Sequence, residues 1–240
     1  MLATVPVNAG RIPQLRGGSG ERLFRSRRGN GRGAFFLLMR YHGGMNRPIA
    51  VFDIDGTVFR SSLFHKLVER MVEKKLLPQD VRDGYHAAYT RWLDRQGDYE
   101  DFRKKAVDAF LANIKGVPYE ETAFIAGEVV DEMKHRLYRY TRDLIKELKA
   151  KNYYLLAISH SPRFIVEALG HELGFDKVYG FFYETGPTGN FTGGVEDYEL
   201  MRNKAAILER AAKKAGLSLE GSIGVGDTES DIPMLESVEM

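Results

Sequence analysis

Two aspartates one residue apart, Asp53 and Asp55, close the apolar run IAVF at residues 49–52 and are followed at once by Gly56. A second pair, Asp227 and Asp231, follows the run IGVG at residues 223–226. Short apolar runs broken by glycine or a turn read as strands covered on both faces, so each hands its carboxylates to the end of a buried strand. Another run, YYLLAIS, ends in Ser159, and Lys204 opens the helical stretch NKAAIL. Acidic strand ends in a chain with no cysteine and six histidines suit a hard cation such as Mg2+, which prefers carboxylate and water oxygens. Clustered carboxylates also repel one another and need compensating charge. Lys204, near a helix start, is the candidate to complete it, although spacing alone reads equally as a surface lysine.

The elements that must position these residues follow from hydrophobic period. Leu63, Leu67 and Met71 lie on one helical stripe, and Tyr85, Tyr89 and Trp92, then Phe102, Ala106 and Phe110, then Ile125, Val129 and Met133 repeat it. With Pro78, Gly97 and KGVP as punctuation, about four helices fit between residues 62 and 140. Helix and strand then alternate: RDLIKELKAKN, YYLLAIS, a helix over SPRFIVEALGHELG with Ser161 as its N-cap, KVYGFFYE, a glycine-rich turn TGPTGNFTGG, MRNKAAILERAAKKAG and SIGVGD. The fold class expected is α/β, a Rossmann-like parallel sheet with a helical insertion after its first strand. Ligands of such sheets bind beyond the carboxyl ends of the strands, where the acidic residues fall.

Composition bounds the rest. A chain of 240 residues with 43% hydrophobic content buries one good core, or one core and a small second module. Residues 1–44 hold eight arginines against Glu21, a charge of +7 that leaves −5 for residues 45–240. This glycine- and arginine-rich tail is expected to be disordered. Three readings are open for it: an arginine-rich arm on phosphates, a targeting peptide, or sequence upstream of a natural start at Met45, which is favoured. The absence of cysteine permits a reducing compartment, and no stretch has the length of a membrane span, so a cytoplasmic location is expected.

DIDGTV, LLAIS, NK and GDTESD, in that order, resemble the four motifs of the haloacid dehalogenase superfamily. The likeness runs from about Ile49 to the last residue, and the inserted helices resemble the cap of its phosphoserine-phosphatase-like branch. The resemblance implies a catalytic core at 45–61 and 141–240 and a cap at 62–140. It implies Asp53 as nucleophile forming an aspartyl-phosphate, and Asp55 as acid and base that also binds Mg2+ through its main-chain carbonyl. Gly56, Thr57, Ser159 and Lys204 would meet the phosphate, Asp53, Asp55 and Asp227 the Mg2+, and Asp231 a metal-bound water or Lys204. Relatives continue with a further strand and helix where this chain stops at PMLESVEM, so a C-terminal truncation with an exposed sheet edge is expected.

Substrate choice is less legible. Members that act on phosphoserine usually carry Glu where this chain has Ser62, Ser where it has Gly56, and Ser-Gly-Gly where it has SHSPRF. The expected activity is therefore Mg2+-dependent hydrolysis of a small phosphorylated metabolite, with phosphoserine phosphatase or a phosphotransferase as alternatives. His160 and Arg163 are candidate substrate contacts, and Phe59, Arg60 and His65 are near enough in sequence to line the entrance. A nucleic-acid binder using the arginine arm is the alternative of another class, less favoured. Deleting residues 1–44 separates the two, because only the phosphatase survives it.

Overall fold

The computed structural model describes residues 47–239 in full and the backbone of residues 22–27 and 34–39. Its strands are β1 (Arg22–Arg27), β2 (Ala34–Met39), β3 (Ile49–Phe52), β4 (Tyr154–Pro162), β5 (Lys177–Thr185), β6 (Phe191–Glu196) and β7 (Ile223–Gly226). They form a sheet in the order β1-β2-β7-β3-β4-β5-β6. Its centre, β7-β3-β4-β5, is parallel. All residues of β3 and β7 are buried, as strands covered on both faces must be.

Helices α1 (Leu63–Glu73), α2 (Gln79–Leu93), α3 (Tyr99–Asn113) and α4 (Tyr119–Met133) fill the insertion, and α5 (Arg139–Ala150) leads back to β4. The chain enters and leaves the insertion side by side: Arg60 N donates to Arg136 O at 3.0 Å and Tyr138 N to Val58 O at 3.0 Å. Inside it, Trp92 stacks on Phe102 with ring centroids 5.8 Å apart, and His65 packs among Tyr85, Tyr89 and Phe102. Phe110 of α3 meets Tyr183 of β5 edge-on at 5.4 Å. One hydrophobic core thus runs from the sheet into the insertion. The stripes legible in the sequence are the faces that build it.

The remaining helices are α6 (Arg163–Leu173), α7 (Tyr198–Met201), α8 (Lys204–Ala215) and α9 (Ile232–Ser237). Three local expectations differ from what is observed. FTGG, read as the end of a turn, opens strand β6, antiparallel to β5, because TGPTGN already reverses the chain. Ser161 does not cap α6: β4 continues to Pro162 and the helix starts at Arg163. Within the stretch expected to be disordered, residues 22–27 and 34–39 run as strands, β1 pairing with β2 and β2 with β7. The apolar run AFFLLM meets the edge of β7 and satisfies its backbone groups, so that edge is covered rather than exposed. The other residues of the tail lie outside the described residues.

Candidate active site

Parallel strands set the site by where they stop. Asp53 is the first residue beyond β3, and its backbone N–H still donates to Val225 O of β7 at 2.8 Å. Asp227 is the first residue beyond β7. Gly56 turns the chain back above them with φ +85°, and a Cβ there would stand 2.3 Å from Asp227 Oδ2. Glycine is therefore required by the φ angle and by the close carboxylate alike. At the end of β4 the register against β5 shifts between Ile158 and Pro162. Such irregularities re-aim side chains, and this one lies where Ser159, His160 and Ser161 sit.

Lys204 begins α8, whose N-cap is Asn203, accepting from Ala206 N at 3.0 Å. Its buried ammonium donates to Asp53 Oδ1 and Asp231 Oδ1, each at 2.6 Å. Burial opposes that charge, yet Asp53 and Asp231 outweigh it and hold the ammonium above its ordinary range. Asp231 also accepts at Oδ2 from Asp227 N, Thr228 N and Thr228 Oγ1 at 2.9–3.1 Å. Burial alone would raise its carboxyl, but Lys204 and these donors bring it below the usual range. Asp231 is thus a positioning group for Lys204 and for the turn after β7.

Asp55 is held by three donors: Leu63 N at 2.5 Å, Ser159 Oγ at 2.9 Å and Ser161 Oγ at 2.7 Å. Burial nevertheless pushes its carboxyl up, with those hydrogen bonds pulling against the rise. Asp53 is pushed well above the carboxylate range by burial, with Lys204 pulling down and Asp231, Asp227 and Asp55 adding to the rise. Its Oδ2 is buried and has no hydrogen-bond partner. Ligand oxygens of Asp53, Asp227 and Asp231 lie within 4.8 Å of one another. An orphaned carboxylate oxygen beside other hard oxygen donors fits a divalent cation such as Mg2+.

The residues expected from sequence are brought together with some changes of partner. Asp53, Asp55, Ser159, Lys204, Asp227 and Asp231 share one site. The Thr57 hydroxyl donates to Asp227 Oδ1 at 2.7 Å, and Ser159 is engaged with Asp55, so both hydroxyls rest on carboxylates. Ser62, where members acting on phosphoserine usually carry Glu, caps α1 by accepting from His65 N at 3.3 Å. His160 lies at the site's flank, with Nε2 buried and unpartnered. Arg163, expected beside the substrate, is held by Glu167 at 2.7 Å with its guanidinium over Phe182. His65 does not line an entrance either, being buried among aromatic rings.

Two residues of the site were missed. Ser161 shares Asp55 with Ser159, and the two-residue period of a strand was the signal; the following proline suggested a helix cap instead. Tyr99 opens α3 and is half-buried. Burial, followed by the charges of Asp55 and Asp53, pushes its phenol above the usual range.

A sequence profile of haloacid dehalogenase-like hydrolases matches residues 50–236. The chain is 27% identical over 194 residues to the inhibition of morphological differentiation protein of Streptomyces azureus, covering 80% of this chain and 69% of that one. It is 25% identical over 203 residues to the phosphoserine phosphatase of Archaeoglobus fulgidus, covering 83% and 54%. To the histidinol-phosphatase of Neisseria meningitidis it is 24% identical over 201 residues, covering 80% and 87%. The chain thus spans about half of the archaeal relative's length. In fold it resembles a substrate-bound phosphoserine phosphatase complex, with TM-score 0.54 at 22% identity over 81% of this chain and 84% of that one. A Bordetella pertussis protein of unknown function gives TM-score 0.60 at 16% identity over 81% and 88%.

Proposed function

The chain belongs to the haloacid dehalogenase-like hydrolases, and we propose that it is a Mg2+-dependent phosphomonoesterase that acts on a small phosphorylated metabolite through an aspartyl-phosphate on Asp53. The observation that carries this is Asp53 itself: one oxygen is pinned by Lys204 at 2.6 Å and the other is buried and unpartnered. That leaves one defined oxygen aimed for attack or metal binding. Asp53 attacks phosphorus while the bond to the leaving oxygen breaks and Asp55 supplies its proton; Asp55 then takes a proton from the water that cleaves the aspartyl-phosphate, freeing phosphate and restoring Asp53. The raised carboxyl of Asp55 suits the first of these roles.

Asp53, Asp227 and the main-chain carbonyl of Asp55 would hold Mg2+, which when bound supplies positive charge against the phosphoryl oxygens. Lys204 neutralises Asp53 and, with Gly56, Thr57 and Ser159, meets the phosphate once the hydroxyls leave their carboxylates. Two relatives are named for phosphoserine and for histidinol phosphate, esters of primary alcohols that share a neighbouring ammonium and differ in the rest of the leaving group. This supports a common phosphate chemistry rather than one alcohol. Ser62 caps a helix and carries no charge to meet an amine, which ranks phosphoserine second. Among the described residues no helix is long and apolar enough to cross a membrane.

A panel of phosphorylated metabolites, assayed for phosphate release with Mg2+ or with a chelator, tests the reading. Release is expected only with the metal, and Asp53→Asn is expected to lower it by about a thousandfold or more. Equal turnover by the variant would remove Asp53 as nucleophile.

A further inference from the structure

Asp55, the group assigned above to the leaving oxygen, has its carboxyl gripped from two sides. Oδ1 accepts from Leu63 N, the first residue of α1, at 2.5 Å. Oδ2 accepts from Ser159 Oγ at 2.9 Å and from Ser161 Oγ at 2.7 Å. A backbone N–H only donates, whereas a hydroxyl donates or accepts. Oδ1 is thereby kept as an acceptor, and the proton that the leaving oxygen receives falls to Oδ2.

The two serines on Oδ2 are not equivalent. Ser159 Oγ also accepts from Ser161 N at 2.9 Å, so its hydrogen can swing to a phosphoryl oxygen while the backbone still holds the hydroxyl. Phosphate binding by Ser159 then strips Oδ2 of one donor just when the carboxyl is needed. Ser161 Oγ is the donor that remains. Its backbone is fixed as well: β4 shifts register against β5 between Ile158 and Pro162, and a Cβ on Gly180 of β5 would stand 2.8 Å from Ser161 O. Helix α6 takes Pro162 as its N-cap and has no side-chain cap bond, so the helix makes no use of the Ser161 hydroxyl. The side chain is buried, which keeps bulk water from taking its place on Asp55.

We propose that Ser161 is the positioning residue for the acid: its hydroxyl holds Asp55 Oδ2 in place for proton transfer once Ser159 has turned to the phosphate. This rests on the phosphatase reading above. The test compares kcat/KM, which reports transfer of the phosphoryl group to the enzyme, for phenyl phosphate and p-nitrophenyl phosphate. The esters are alike in shape, but phenoxide is the poorer leaving group and gains more from a proton. Ser161→Ala lowers the ratio of phenyl to p-nitrophenyl phosphate by about tenfold, and Ser161→Thr, which keeps the hydroxyl, restores most of it. Added to Asp55→Asn, Ser161→Ala moves the ratio no further, because the group it positions no longer gives a proton. Should the alanine variant fail to fold, Ser161→Cys, close in size but a weak donor, lowers the ratio in the same direction. An equal loss on both esters, or a ratio that falls again in the Asp55→Asn background, overturns the positioning role and leaves the phosphatase reading standing. A wild type that hydrolyses neither ester overturns that reading and the role with it.

Discussion

Lys204 joins two buried carboxylates at 2.6 Å each, and its removal leaves them facing each other without a cation. Lys204→Ala is expected to lower unfolding free energy by about 3–5 kcal/mol in urea titrations, the cost of uncompensating a buried pair. His65 gives a pH-dependent counterpart. Burial is the largest influence on it and, against the pull of Glu69, takes its imidazole from 6.5 down to about 4. Between those values the unfolded chain binds a proton that the folded one refuses, so stability is full above pH 6.5 and falls as pH drops towards 4. The expected loss is about 3 kcal/mol. His65→Phe should show a shallower decline over that window, measured as urea midpoints against pH. At this scale the acidic residues were largely legible, because Asp53, Asp55 and Asp227 stand at the ends of unmistakable apolar runs, whereas Lys204 at the head of a helix read equally as a surface lysine. Partners were not: that Thr57 rests on Asp227, or that Ser161 joins Ser159 on Asp55, depends on turns and a register shift that composition does not encode.

The turn after β3 and the end of β4 are the elements that make these residues a site. Gly56→Ala would force a side chain into φ +85° with its Cβ 2.3 Å from Asp227 Oδ2. It is expected to cost about 1–3 kcal/mol of stability and to abolish the rise in Tm expected of the wild type on adding Mg2+, read by thermal melting with and without the metal. Gly180 has a similar part on β5, where a Cβ would lie 2.7 Å from Arg163 Cα and 2.8 Å from Ser161 O. That close approach lets β5 lie against the shifted end of β4. Helices of the insertion were legible from their stripes, since burial against one core imposes the period. Strand β6 was not, because the glycines of FTGGVE carry no alternation and only its pairing with β5 defines it.

Across the whole molecule, parallel order is what gathers residues 53, 159, 204 and 227, since β3, β4 and β7 end at one edge of the sheet and α8 begins there. That topology followed from the sequence, because alternating helices and strands admit few arrangements. The place of β2 at the edge of β7 did not, because antiparallel pairing of a run far from the motifs leaves no local signal. The most direct measurement of the central claim is a single turnover with a substrate labelled in its phosphoryl group, quenched in acid and mapped by peptide. The account predicts label on the peptide of residues 51–60, at Asp53, and none in Asp53→Asn. Label on any other side chain, or turnover that never labels the protein, would contradict it.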